Sequence, residues 1–279
     1  MADSVREVTV QSHAAEGASV RPDRVAVEEP LEIRVQREGD SARHSVAITM
    51  RTPGHDAELA AGFLVSEAVV AAPGMIRNLR HCGAPGSPQE NVINVTLAAD
   101  AAFDPERLSR NVYTSSSCGI CGKASIEMIQ AVNPPALTGE FRIPFSVLRT
   151  LPDRLGQAQP AFAATGGLHA AALFDAAGTL RLAREDVGRH NAVDKLVGSL
   201  YLDNRLPARD ALLLVSGRAS YELVQKALMA GIPMLAAVGA PSSLAIETAR
   251  AFGATLAGFL RDGRCNVYSG EERVVSGSS

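Results

Sequence analysis

Tryptophan is absent from the 279 residues, and aromatic residues make up only 4%. That argues against platforms of stacked aromatics for single-stranded nucleic acid. Positive charge is not in surplus either: 27 Lys and Arg face 30 Asp and Glu, a formal net charge of -3. Without a global basic field, any anionic ligand must be held by a local site, and no nucleic acid partner is expected. No stretch approaches the ~20 apolar residues of a membrane span, so no membrane partner is expected. Met1 to Arg24 mixes Asp, Glu, Arg, Ser and Ala and lacks the apolar core of a signal peptide. It reads as a loose leader on a cytoplasmic protein. Cysteine is scarce, with Cys82, Cys118, Cys121 and Cys265 alone. In a cytosolic chain a disulfide framework is not expected. Two thiols three residues apart therefore need another explanation.

What is present divides the chain into three parts: a flexible leader (1–24), an N-terminal α+β unit (25–112), and a larger unit (113–279) that opens with a Cys loop (113–124). Leu31, Ile33 and Val35 alternate with polar residues, as do Val46, Ile48 and Met50, with Glu38-Gly39-Asp40-Ser41 between them. This predicts a β-hairpin. Asp56 can cap a helix carrying Leu59, Phe63 and Leu64 on one face. Ile93, Val95 and Leu97 suggest a further strand. A helix from about Ser125 to Val132 stops at Pro134-Pro135, and Pro152 should kink or end another over Ser146 to Leu155.

The C-terminal half alternates short apolar runs with helical periods. Strands are expected over His169 to Phe174, Thr179 to Arg184, Ala211 to Val215, Met234 to Val238 and Ala254 to Phe259. Helices are expected around Val193 to Leu200 and over Ser220 to Ala230 and Ser242 to Phe252, with Gly231 and Gly253 as C-cap glycines. Continuous apolar strands of this kind argue for a mixed, partly parallel sheet covered by helices on both faces, an α/β (α+β) architecture.

Three groups of residues could do chemistry. The first is Ser115-Ser116-Ser117-Cys118-Gly119-Ile120-Cys121-Gly122-Lys123. Glycines flank the thiols, and Lys123 and the start of a helix both favour a thiolate. A metal site needs about four ligands, which Cys82 and Cys265 could complete. A thioredoxin-like pair would normally end a strand in an early βαβ unit. A sulfur carrier needs one accessible thiolate with a second thiol to assist, and the loop composition suits this. The pair alone leaves metal and sulfur chemistry open.

The second group is Arg184-Glu185-Asp186-Val187-Gly188-Arg189-His190-Asn191-Ala192-Val193-Asp194-Lys195, at a strand-to-helix junction. A solvated helix start explains the acids. It does not explain Arg189, His190 and Asn191 together, since His titrates near neutrality and Arg forks onto phosphate. The third group is positional. Ser216, Gly217 and Arg218 follow one strand, Gly239 to Ser243 the next, and Phe259, Leu260, Arg261, Asp262, Gly263 and Arg264 the last. Strand ends with small residues, hydroxyls and arginines describe a phosphate or nucleotide pocket. Each loop alone is ordinary turn chemistry. His169, after Thr165-Gly166-Gly167-Leu168, is by itself more simply a core histidine.

Together these motifs resemble the FdhD family of formate dehydrogenase accessory sulfurtransferases. The resemblance rests on Arg51 to Leu64, Ser115 to Lys123, Thr165 to Ala172, Glu185 to Lys195, Ser216 to Lys226 and Ala230 to Tyr268. It implies a protein that takes sulfur from a cysteine desulfurase and passes it to the molybdenum cofactor, bis-molybdopterin guanine dinucleotide. That step precedes insertion of the cofactor into formate dehydrogenase. It also implies a cysteine persulfide on Cys118 with Cys121 assisting, guanine dinucleotide binding by Phe259 to Arg264, no permanent metal, a homodimer, and a main domain similar to cytidine deaminase. The chain departs from the family pattern at Gly239, where Ser is expected, and at Ala68, where Gly is common.

Two other classes compete. A zinc deaminase needs His-x-Glu upstream of Pro-Cys-x-x-Cys, but here Ser117 precedes Cys118, and Ala171 stands where Glu belongs after His169. A non-catalytic chaperone for the cofactor or the dehydrogenase would use the strand-end pocket and not the thiols.

Overall fold

The computed structural model describes residues 4–15, 17–84, 86–87, 90–104, 122–138 and 140–276. In chain order the elements are β1 (Val5–Ala14), β2 (Gly17–Ala26), β3 (Glu29–Arg37), β4 (His44–Arg51), α1 (Asp56–Ser66), β5 (Ile76–His81), β6 (Val92–Leu97) and α2 (Gly122–Val132). Then follow β7 (Ile143–Pro144), α3 (Phe145–Leu148), α4 (Leu151–Gln157), α5 (Pro160–Thr165), β8 (His169–Phe174), β9 (Leu180–Asp186) and α6 (Arg189–Leu202). The chain closes with β10 (Leu212–Val215), α7 (Tyr221–Met229), β11 (Met234–Ala237), α8 (Ser243–Ala251), β12 (Thr255–Arg261), β13 (Arg264–Ser269) and β14 (Val274–Val275).

The larger sheet has the order β13-β12-β11-β10-β8-β9. Strands β10, β11 and β12 run parallel to one another, while β8, β9 and β13 are antiparallel to the strands they pair with. Its apolar strands bury both faces. Ala171, Leu173, Leu213, Val215, Leu235 and Ala237 join the core under α1, α6 and α7. Ala170, Ala172, Phe174, Leu212, Leu214, Met234 and Ala236 join a second core with Phe141, Ile143, Leu148 and Leu151. The strand period of two deals alternate residues to opposite faces, which is why the runs are apolar throughout.

The smaller sheet, β4-β3-β6-β5, pairs β3 with β6 in parallel and the rest antiparallel. Its inner residues Leu31, Ile33, Val35, Ile93, Val95 and Leu97 are continuous with the core beneath α1 and α6. These two helices meet backbone to backbone. A Cβ on Gly62 would lie 1.8 Å from the Asp194 carbonyl oxygen, and one on Gly198 would lie 1.8 Å from that of Glu58. Only glycine permits this approach.

Three expectations need correction. The segment taken for a loose leader is a β-hairpin, with Val5–Ala14 paired residue by residue to Gly17–Ala26. Its strands are mostly exposed and interleaved with charges, so no apolar period marked them. Asp56 does not cap α1. Its carboxylate takes two hydrogen bonds from Arg51, at 3.0 and 2.9 Å, and His55 stands at the cap with φ 59. The helix expected over Ser146 to Leu155 is two, with Pro152 in the first turn of α4, where its missing N–H costs nothing. The Ala68 departure also has a backbone meaning. Ala68 follows α1 at φ 57, a left-handed position where glycine is unstrained.

Candidate functional site

The parallel strands end side by side, and their loops are hydrogen-bonded into one edge. The Gly239 N–H donates to the Gly217 carbonyl at 2.9 Å, and the Phe259 N–H donates to the Gly239 carbonyl at 2.9 Å. Ser216 completes the ladder, its hydroxyl accepting from the Ala170 N–H at 2.9 Å. A Cβ on Gly239 would sit 3.0 Å from the Gly217 carbonyl oxygen, so a serine there needs the Gly217–Arg218 loop to give by a few tenths of an ångström. The expected assembly of strand ends is therefore present for Ser216, Gly217, Arg218, Gly239 and Phe259. Arg218 is exposed.

Residues 259–264 are less uniform. Phe259 has φ 52 at a register break in β12, and Arg261 reaches back over its ring at 5.7 Å. Leu260 is fully buried in the second core, so only its backbone can serve a ligand. Asp262 and Gly263, with φ 53 and 71, are the two central residues of a primed hairpin turn between Arg261 and Arg264. Arg261, Asp262, Gly263 and Arg264 are exposed on that turn.

The polar block after β9 proves to be two things. Part of it is a buried clasp. Asp186 is fully buried, 2.7 Å from the Lys195 ammonium, and accepts from the Thr52 N–H at 3.1 Å and the Gly188 N–H at 2.8 Å. Asn191 donates to the Met50 carbonyl at 2.7 Å. Asp194 accepts from Lys226 at 2.8 Å and from the Ser66 hydroxyl at 2.8 Å. These bonds tie the segment 50–56 to α6, and α6 to α7. They account for the density of ionisable residues without any ligand.

The rest of the block faces the strand edge. His190 lies 3.4 Å from the Ser220 hydroxyl and 3.8 Å from Glu222. The neighbouring His190 imidazole is the main cause that holds the Glu222 carboxyl at about 2, against burial. His169 opens β8, opposite Asp186, and so stands at the same edge as Gly217. Burial first, then the charges of Arg189 and His190, push its conjugate acid down, leaving a neutral imidazole near pH 7. Sequence reasoning passed over His169 and Glu222. The signal for His169 was its place at the start of a strand antiparallel to β10, visible only once the sheet order is known.

Cys118 and Cys121 lie outside the described residues. Cys82 and Cys265 are free thiols, and burial raises the Cys265 pKa, which disfavours its thiolate. Among the described residues no group of three or more His, Cys, Asp and Glu is placed to hold a metal ion. No described helix is long and apolar enough to cross a membrane.

A second ion pair braces the site from behind. Arg184 on β9 binds Glu58 on α1 through two hydrogen bonds, at 2.5 and 2.7 Å. Burial alone would raise the Glu58 carboxyl, but the bonds from Arg184 and His55 outweigh it and hold it at about 2. A depressed folded-state pKa stabilises above the unfolded value and is lost as pH falls through the folded one. Stability is therefore expected to fall between about pH 5 and pH 2. Glu58→Gln should flatten that part of the curve and weaken the protein at pH 7 by on the order of 2 kcal/mol. Urea unfolding of both proteins across this range checks it; parallel curves would refute the assignment.

The comparisons agree with one another. The sequence profile of the FdhD/NarQ family matches residues 26–275. A Streptomyces coelicolor protein named sulfur carrier protein FdhD is 52% identical over 92% of this chain and 91% of its own. A Mycolicibacterium paratuberculosis protein of the same name is 49% identical over 97% of this chain and 98% of its own. A crystal structure from Desulfotalea psychrophila, described as that of a formate dehydrogenase accessory protein, superposes with a TM-score of 0.75 at 25% identity. It covers 98% of this chain and 100% of that one. With a profile spanning nearly the whole chain and relatives at about half identity, this protein belongs to the FdhD/NarQ family.

Proposed function

We propose that the protein is a cytoplasmic sulfur carrier that matures formate dehydrogenase. In this reading it receives persulfide sulfur from a cysteine desulfurase and passes it to the molybdenum cofactor. The observation that carries the reading is the Cys118-Gly119-Ile120-Cys121 pair in a chain 52% identical to a protein named as a sulfur carrier.

The chemistry needs two displacements. The Cys118 thiolate attacks the terminal sulfur of the donor's persulfide. The old sulfur–sulfur bond breaks, the donor leaves as a thiolate, and Cys118 now bears the extra sulfur. In the second step Cys118 is expelled as a thiolate and the sulfur bonds to molybdenum, which supplies the two electrons that make it sulfide. Cys121, three residues further along the sequence, serves as relay or shield. The strand edge receives the guanine dinucleotide, with Arg218 and the hairpin arginines 261 and 264 offsetting phosphate charge. The protein acts as a homodimer, and its six-stranded layer is of the cytidine deaminase kind.

Intact-mass measurement after incubation with a cysteine desulfurase and cysteine tests this. One added sulfur atom mapped to Cys118 is expected. An adduct on Cys82 or Cys265 alone, or none, would overturn the carrier role.

A further inference from the structure

Glu67 sits where three helices meet. It closes α1, beside a charged pair that joins α6 to α7. The Lys226 ammonium donates to both Asp194 oxygens at 2.8 Å, and the Ser66 hydroxyl donates to Asp194 at 2.8 Å. Gln225 donates to the Ser66 carbonyl at 3.3 Å. Asp194 and Lys226 are both buried and balance each other's charge. The Glu67 carboxyl faces this pair as a third ionisable group, with no hydrogen bond of its own among the described residues.

An ammonium has three N–H donors, and Asp194 takes two of those on Lys226. The third is available to Glu67 only when that carboxyl gives up its proton. Two carboxylates around one ammonium, in a place short of water, is a costly arrangement. Burial pushes the Glu67 carboxyl above the ordinary carboxylate range; the Lys226 charge opposes this, and the Asp194 charge adds to it. Glu58 and Glu222, held at about 2, stand at the opposite extreme. The pair is also tied to the strand edge. His190 lies one turn before Asp194 on α6, and Glu222 one turn before Lys226 on α7. The His190–Glu222 contact at 3.8 Å is thus the outer rung of a seam whose inner rung is Asp194–Lys226. Because α6 is locked to α1 at Gly62 and Gly198, the element free to move is α7.

We infer that Glu67 is a proton-operated switch on this seam. Protonated, it leaves Lys226 wholly to Asp194, and the seam stays closed. Ionised, it takes the third N–H and draws Lys226 toward α1, and Glu222 on the same helix shifts against His190. The proton goes to solvent, and only hydrogen bonds are exchanged. The switch does not depend on what the edge binds.

Carbon-13 NMR of the full chain with labelled glutamate side chains, read across pH together with the His190 ring signal, tests it. One carboxyl should titrate above the rest and be missing from Glu67→Gln, which keeps the shape but cannot ionise. The His190 signal should inflect at that same pH in the unaltered protein and lose the inflection in Glu67→Gln. Urea unfolding gives a second reading. A raised folded-state pKa stabilises below the unfolded value, and that stability is lost as pH rises through the folded one. The urea midpoint of the unaltered protein should therefore drop over this window, and that of Glu67→Gln should drop less. If Glu67 titrates with the other glutamates, the inference is overturned. A His190 signal blind to the Glu67 proton overturns it as well.

Discussion

Cys118→Ala is expected to abolish maturation of a co-expressed formate dehydrogenase while leaving the carrier folded. The sulfur atom of Cys118 is the reactive group that the proposed transfer needs. Serine is not a stand-in, because its hydroxyl is not ionised at neutral pH and cannot hold sulfane sulfur. Cys118→Ser should therefore be as inactive as Cys118→Ala. Cys121→Ala should retain the adduct on Cys118 and lower the yield of active dehydrogenase, as a relay or shield would require. The measurements are dehydrogenase activity and the mass of the carrier from the same cells. Normal dehydrogenase activity with Cys118→Ala would leave the strand edge as the working part of the protein and the thiols as bystanders.

Asp186→Ala is expected to reduce the unfolding free energy by about 3–5 kcal/mol. The side chain is fully buried and lies 2.7 Å from Lys195, itself 1% exposed. Removing the carboxylate strands an ammonium inside the protein and frees the N–H groups of Thr52 and Gly188. Breaking one side of such a pair costs more than the pair contributes, because the surviving charge has no water to turn to. Against a typical domain stability of about 5–15 kcal/mol, the loss is decisive. The double variant Asp186→Ala with Lys195→Met should recover part of it, since both charges are then gone. Urea unfolding of the unaltered protein and the two variants provides the comparison. A single-variant loss under about 1 kcal/mol would mean that the pair is not what closes segment 50–56 onto α6.

How much of this was legible in the sequence depended on whether the cause was local. The strands β8, β10 and β11 and the helices α7 and α8 were readable because apolar runs and capping residues announce them. Ser242, for example, accepts from the Ala245 N–H at 3.2 Å as an N-cap should. The first hairpin was not readable, because on a mostly exposed ladder the alternation shrinks to Val8 and Val10, too short a run to announce a strand. The strand-end loops were recognisable as neighbours from the strand–helix alternation alone. The clasp was not. Asp186, Asn191 and Lys195 look like site chemistry in a line of text, and only their partners in segment 50–56, more than 130 residues away, reveal them as packing. His169 had the reverse fate, reading as core while its place in an antiparallel strand sets it on the edge.

The glycine crossing of α1 and α6 bears on how firmly the strand edge is seated. With two main chains in contact at Gly62 and Gly198, neither helix can tilt or slide without colliding with the other. The start of α6, where Arg189 and His190 stand, is thereby held at a set distance from α1. A larger residue at either glycine would lever that end away from the strand edge.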